Sequence, residues 1–193
     1  MKSVSTDHIE PVIEQVLAEV AACVSQTSGE SMAQAGALIE VAPRIFVAGA
    51  GRSGLCMRAM GMRLMHLGKT VYVVSETTTP SIVAGNLLIL GSGSGQTASL
   101  LAITEQARRQ GAKTLLFTTD ATSPLANLTD HQVVIPAPSL KDAKGERDLV
   151  SVQPLGTLFE QSLLILCDTL ILGLMQRIGV SAAQMFERHA NLE

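Results

Sequence analysis

Two rhythms of hydrophobic residues alternate along the chain. Near the start, Ile9, Val12, Ile13, Val16, Leu17, Val20 and Val24 recur at helical spacing, which predicts an amphipathic helix. Residues 30–41 predict a second, weaker one. Such a pair has to bury its apolar side, either on a sheet or on a partner subunit. From residue 44 the rhythm changes to short apolar runs bounded by glycine and polar residues. Runs at 44–48, 70–74, 86–90, 113–118 and 132–135 predict five strands. Helical patterns lie between them. One carries Met60, Leu64 and Leu67 and stops at Gly68; another covers roughly 98–110 and stops at Gly111; a short one begins at Ser123. A long apolar helix runs from near Pro154 to near Gly179, with proline expected at its start. Ser181 and Gln184 have the spacing of a capping box, which predicts a last short helix before His189.

This alternation predicts an α/β fold with a mostly parallel sheet and helices on both faces. The expected organisation is a single domain over residues 1–193, with N-terminal helices at about 6–41 and an α/β core at about 44–193. In such sheets ligands bind at the carboxyl ends of strands, near a topological switch point. Two glycine-rich loops fall at such ends.

Composition narrows the classes of function. The chain is 47% hydrophobic and 16% charged, as expected of a globular domain. Aromatic residues make up 3%, with no tryptophan, which weakens any reading based on base or sugar stacking. A formal charge of −3 gives no electrostatic footprint for nucleic acid. A bound phosphate would therefore be held by local geometry and not by a basic field. Cys23, Cys56 and Cys167 are far apart in apolar helical stretches and read as small buried hydrophobes. No Cys/His cluster suggests a metal. The longest apolar run, 162–175, is interrupted by Asp168 and is too short to span a bilayer. Residues 1–10 are polar and lack the pattern of a signal peptide, so the expected location is cytoplasmic.

The first glycine-rich loop, Gly49-Ala50-Gly51-Arg52-Ser53-Gly54, matches the dinucleotide fingerprint. Glu76 follows the next strand, where a ribose-binding acid is sought, but it comes late for that role. The chain also leaves no length for a separate substrate domain. The second loop is Gly91-Ser92-Gly93-Ser94-Gly95-Gln96-Thr97. Its glycines let backbone approach an anion, and the amides and dipole of the helix it opens favour negative charge. Ser92, Ser94 and Thr97 can each donate to a phosphate oxygen. A plain tight turn with an N-cap is the alternative. The loop at 136–153 carries Lys141, Lys144, Glu146, Arg147 and Asp148, and reads either as a charged cover over a site or as a solvated surface loop.

The second loop resembles the phosphosugar-binding loop of the sugar isomerase (SIS) domain family. Gly49–Gly54, Arg63-Leu-Met-His-Leu-Gly68, Glu76-Thr-Thr-Thr-Pro80, Pro154-Leu-Gly-Thr-Leu-Phe-Glu160 and Arg188-His-Ala-Asn-Leu-Glu193 are similar to the 6-phospho-3-hexuloisomerase branch. The resemblance implies a three-layer α/β/α sandwich with a five-stranded parallel sheet. It implies homotetramers with sites formed between subunits, and interconversion of 3-hexulose 6-phosphate and fructose 6-phosphate in the ribulose monophosphate pathway of formaldehyde fixation. Gln96 departs from the glutamate common at that place in the loop, a small change if the position acts through its backbone.

That reaction moves a carbonyl between C3 and C2 through a cis-enediol, which one carboxylate can serve from one face of the sugar without a metal or redox cofactor. Glu160 is the candidate base; compensation of a helix dipole is its ordinary alternative. His189 is the candidate for handling sugar oxygens and ring opening, against the reading of a surface histidine. The 3-ketose is expected to be open-chain, because its 6-oxygen is phosphorylated, so ring chemistry concerns the fructose side alone. Ser53 is a candidate donor to phosphate or sugar. Arg52 either adds charge there or forms a subunit salt bridge. The backbone of Gly93, Gly95 and Gln96 completes the candidate phosphate site. His66, among Leu64, Met65 and Leu67, reads as a packed structural histidine.

Overall fold

The computed structural model describes residues 9–138 and 151–192. Two helices, α1 (Ile9–Ser25) and α2 (Gly29–Val41), precede the alternating core. The core runs β1 (Ile45–Gly49), α3 (Gly51–His66), β2 (Val71–Val73), β3 (Leu87–Gly91), α4 (Ala98–Arg109), β4 (Lys113–Thr118), α5 (Pro124–Leu128) and β5 (His131–Val134). It closes with α6 (Thr157–Ile178) and α7 (Ala182–Phe186). The five strands are parallel, in the order β2-β1-β3-β4-β5.

Successive strand residues point to opposite faces, so each strand feeds two cores. Ile45, Val47, Leu87, Ile89, Leu115, Phe117 and Val133 pack under α1, α2, α3 and α6. Phe46, Ala48, Leu88, Leu90 and Leu116 pack under α4 and α5. This double burial explains why the central strands read as unbroken apolar runs. Each Leu, Ile or Phe side chain so buried is worth about 1.5–3 kcal/mol.

α6 buries Leu158 and then Phe159, Leu163, Leu166, Leu170 and Leu174 on one face, the last five at intervals of three or four residues. Leu164, Ile165 and Leu172 remain exposed on the other. The helix extends well beyond the apolar run 162–175. Among the described residues it is the one helix long and apolar enough to cross a membrane, but half of its apolar window is buried inside the fold. Its start differs from expectation. Pro154 lies in a turn before the helix. Leu155 takes a left-handed φ of 58°, which breaks the helical run, and the amide and hydroxyl of Thr157 both donate to the Pro154 carbonyl. Gly179 ends the helix at φ 70°, as its position suggested. Cys23 and Cys167 are buried and Cys56 half-buried, all as free thiols.

One backbone contact fixes α3 against the sheet. A Cβ on Gly54 would fall 2.6 Å from the Gly49 carbonyl oxygen. Gly51 takes φ +56°, but a Cβ there meets nothing within 4 Å. Gly54→Ala is therefore expected to cost about 3 kcal/mol by forcing helix and strand apart. Gly51→Ala is expected to cost about 1 kcal/mol, from backbone strain alone. Urea unfolding of the two variants measures the difference; equal costs would show that the Gly49–Gly54 approach is not tight.

Candidate active site

The chain leaves β1 through α3 toward β2 on one side, while β3 lies on the other. The switch point is thus between β1 and β3, where Gly49 is paired with Gly91. Both glycine-rich loops start from this pair and lie side by side. A cavity of about 150 Å³ opens between them. Ser53, Ser92, Ser94, Thr97 and Glu160 all line it.

The second loop is held in shape by bonds to the end of β4 and the residue after it. The Gly93 carbonyl accepts from the Thr119 amide (3.0 Å), the Thr118 hydroxyl (3.0 Å) and the Thr119 hydroxyl (2.9 Å). The Ser92 amide donates to the Phe117 carbonyl at 3.0 Å. Gly95 sits at φ +58°, and a Cβ there would land 2.0 Å from Ser123 Oγ, so glycine alone fits. Thr97 stands at the N-cap of α4, yet its side chain makes no capping bond. The residue lines the cavity. Gln96 is exposed and is not among the lining residues; its amide donates to Ser94 Oγ at 3.4 Å.

Ser53 enters from the first turn of α3 and is buried. Glu160 enters from the first turn of α6, and its carbonyl accepts from the Cys56 thiol on α3. Arg52 Nε donates to Glu160 Oε2 at 2.5 Å. The sequence offered Arg52 a phosphate or a subunit partner; here its contact is the candidate base of its own chain. Glu76 gives its carboxylate to Arg58 at 2.6 Å, an exposed ion pair, so the acid sought for a ribose is engaged elsewhere.

Three contributors escaped the sequence reading. Thr119 lines the cavity from the end of β4, Phe159 lines it from α6, and Pro138 from beyond β5. The Thr118-Thr119 pair after a strand was the available signal for the first. Phe159 also lies against Gly93, where a Cβ would come within 3.2 Å of its ring. Residues 141–148, with the charges considered for a cover, lie outside the described residues. Among the described residues, no group of three or more His, Cys, Asp or Glu side chains has the arrangement to hold a metal ion.

His189 is not brought to this cavity within the chain. It follows α7 and stacks on His66 at a centroid distance of 5.4 Å. His66 ends α3, whereas Arg52 and Ser53 begin it. At 1.5 Å per residue, the two ends of this 16-residue helix are about 24 Å apart. The Arg188 guanidinium donates to the His66 carbonyl at 3.0 Å, which satisfies the helix end and fixes the tail there.

An open parallel sheet with a hydroxyl-lined helix mouth at its switch point, and one carboxylate across from it, defines an α/β domain built for an anionic small molecule. Residues 38–145 match the SIS domain family, and the chain belongs to it. It is 42% identical over 187 residues to the 3-hexulose-6-phosphate isomerase of Mycobacterium gastri, covering 97% of this chain and 92% of that one. It is 36% identical to the 3-hexulose-6-phosphate isomerase of Bacillus subtilis strain 168, over 94% and 97% of the two chains. A crystal structure of a Methanococcus jannaschii protein, from which a 3-hexulose-6-phosphate isomerase function was inferred, superposes with a TM-score of 0.81 at 30% identity. That match covers 95% of this chain and 99% of the other.

The His66–His189 stack gives a pH dependence. His66 is buried, and burial, with Arg63 and His189 beside it, holds its imidazole below the ordinary value. The unfolded chain therefore takes up this proton at higher pH than the folded one. Stability is expected to fall as pH drops through and below about 6.5. Thermal unfolding between about pH 7 and about pH 5 reads this, and His66→Phe should flatten the slope. An identical slope in that variant would place the effect elsewhere.

Proposed function

We propose that this chain interconverts 3-hexulose 6-phosphate and fructose 6-phosphate, with Glu160 as the base. The observation that carries the reading is the shared cavity: one carboxylate faces a ring of hydroxyls and amides at a helix mouth. The phosphate binds to Ser92, Ser94, Thr97 and the amides around Gly93, Gly95 and Gln96, with Ser53 donating from α3. Glu160 removes the C2 proton of the 3-ketose. The C2–H electron pair forms the C2–C3 double bond of a cis-enediol, while the C3 oxygen takes up a proton. Glu160 then returns its proton to C3 as the C2 hydroxyl loses its own and becomes the carbonyl. These transfers balance without an external oxidant or reductant. Arg52 orients the carboxylate.

His189 completes the site from a second copy of the chain. α3 has its first turn at the cavity and its last turn under His189. Two copies with their α3 helices antiparallel about a two-fold axis carry each histidine to the other's cavity. Leu55 and Met62 on α3, and Ile165 and Leu172 on α6, are exposed apolar residues suited to such an interface. Two such dimers make the expected tetramer. The setting is the cytoplasmic ribulose monophosphate route of formaldehyde fixation.

The purified protein, given 3-hexulose 6-phosphate, is expected to yield fructose 6-phosphate in a coupled assay. Glu160→Gln should lower kcat about a thousand-fold with phosphosugar binding retained. A near wild-type rate in that variant would remove Glu160 as the base.

Subunit sharing has its own test. Glu160→Gln and His189→Ala, each inactive alone, should recover about a quarter of wild-type activity once their subunits are mixed and exchanged, because each hybrid pair regains one intact site. No recovery despite proven exchange would return His189 to a structural role.

A further inference from the structure

The start of α6 is tied down by α1, a helix that does not line the cavity. Glu19, on α1, holds the three residues that lead into the turn before α6. Its carboxylate accepts from Ser151 Oγ at 2.6 Å, from the Val152 amide at 3.0 Å and from Gln153 Nε2 at 3.1 Å. Ser151 Oγ in turn accepts from the Gln153 amide at 3.0 Å, so its hydroxyl passes one bond to the next. Gln153 is buried. Burial pushes the Glu19 carboxyl up, and the three hydrogen bonds together outweigh it, so the group stands below its ordinary value.

The segment between this clasp and α6 is short and stiff. Pro154, Leu155 and Gly156 form the turn that the Thr157 side chain closes onto the Pro154 carbonyl at 2.6 Å. Gly156 already lines the cavity, and Phe159 and Glu160 lie within the next turn. A displacement at 151–153 therefore passes to the cavity wall through a segment already fixed by its own bonds.

We propose that Glu19 is a positioning residue for the isomerisation: by clasping residues 151–153 to α1, it sets how closely the first turn of α6 approaches the loop at 92–97. This rests on the reading of Glu160 as the base. The hydrogen bonds that shape the loop at 92–97 run to β4, the residue after it and α5, away from the clasp, and only the Phe159 ring touches it from α6, so the effect falls chiefly on the reacting end of the sugar.

Full-length Glu19→Ala, Glu19→Gln and wild-type protein provide the test. In Glu19→Ala, kcat is expected to fall about ten-fold, while KM stays within about two-fold. Glu19→Gln keeps one acceptor oxygen and should recover part of the loss. Amide exchange over residues 156–160 should quicken about ten-fold in Glu19→Ala, with β1 and β3 unchanged. Faster exchange with an unchanged kcat would make the clasp merely structural and overturn the proposal. Unchanged exchange would overturn it as well. Should Glu160→Gln prove fully active, the base assignment fails on that separate result, and the exchange measurement still reports whether Glu19 fixes the helix start.

Discussion

Gly49 and Gly91 face each other at the ends of β1 and β3, and the site is built outward from that pairing. Neither carries a side chain, and neither has room for one. A Cβ on Gly91 would come within 3.0 Å of Met57 and 3.2 Å of Leu163. A Cβ on Gly49 would meet Gly54 at 2.9 Å. Helices α3 and α6 thus settle directly over the strand ends. Their first turns, with Ser53 and Glu160, reach the same cavity that the loop after β3 surrounds. A larger residue at either glycine would separate these pieces before any of the candidate side chains was touched.

The cavity separates two electrostatic tasks. Neutral donors surround the anion site: amides at a helix mouth and hydroxyls that can turn to suit it. Among the described residues that line the cavity, the one formal charge is Glu160, which Arg52 pairs from the solvent side. This arrangement suits a chain whose net charge is −3, because a phosphate bound by dipoles does not need a basic field. Arg52 is largely exposed while Glu160 is mostly covered, so the arginine holds the carboxylate from the solvent side.

Much of this is legible in one sequence. Short unbroken apolar runs carry the central strands because those are buried on both faces, and period-3.6 patterns carry the long core helices because those are buried on one. Glycine spacing carries the two loops, since the need for left-handed φ or close approach leaves little choice of residue. The start of α6 is not legible at Pro154, because a single left-handed residue, Leu155, is invisible to propensity. Thr119, Phe159 and Glu19 stay hidden for another reason. Each acts through a partner distant in sequence: Gly93 for the first two, residues 151–153 for the third. Spacing along the chain holds no trace of such pairs.

His189 stands apart from the cavity of its own chain, at the opposite end of α3. Its amide donates to the Phe186 carbonyl, the neighbouring Arg188 is bonded to the far end of α3, and its ring rests on His66. A tail of that length cannot cross the roughly 24 Å of a 16-residue helix while those contacts persist. Either the histidine serves only to seal that helix end, or another copy supplies the cavity it serves. The surface between the two ends bears on the choice. α3 and α6 leave Leu55, Met62, Ile165 and Leu172 in solvent, with Met65 and Leu164 partly so, although their other faces are buried. Burying such residues returns about 25 cal/mol for each square ångström covered, and a two-fold contact covers every one of them twice. A symmetric pairing along α3 therefore accounts for the apolar surface and for the placement of the histidine by one arrangement, whereas a capping role for His189 leaves the exposed residues unexplained.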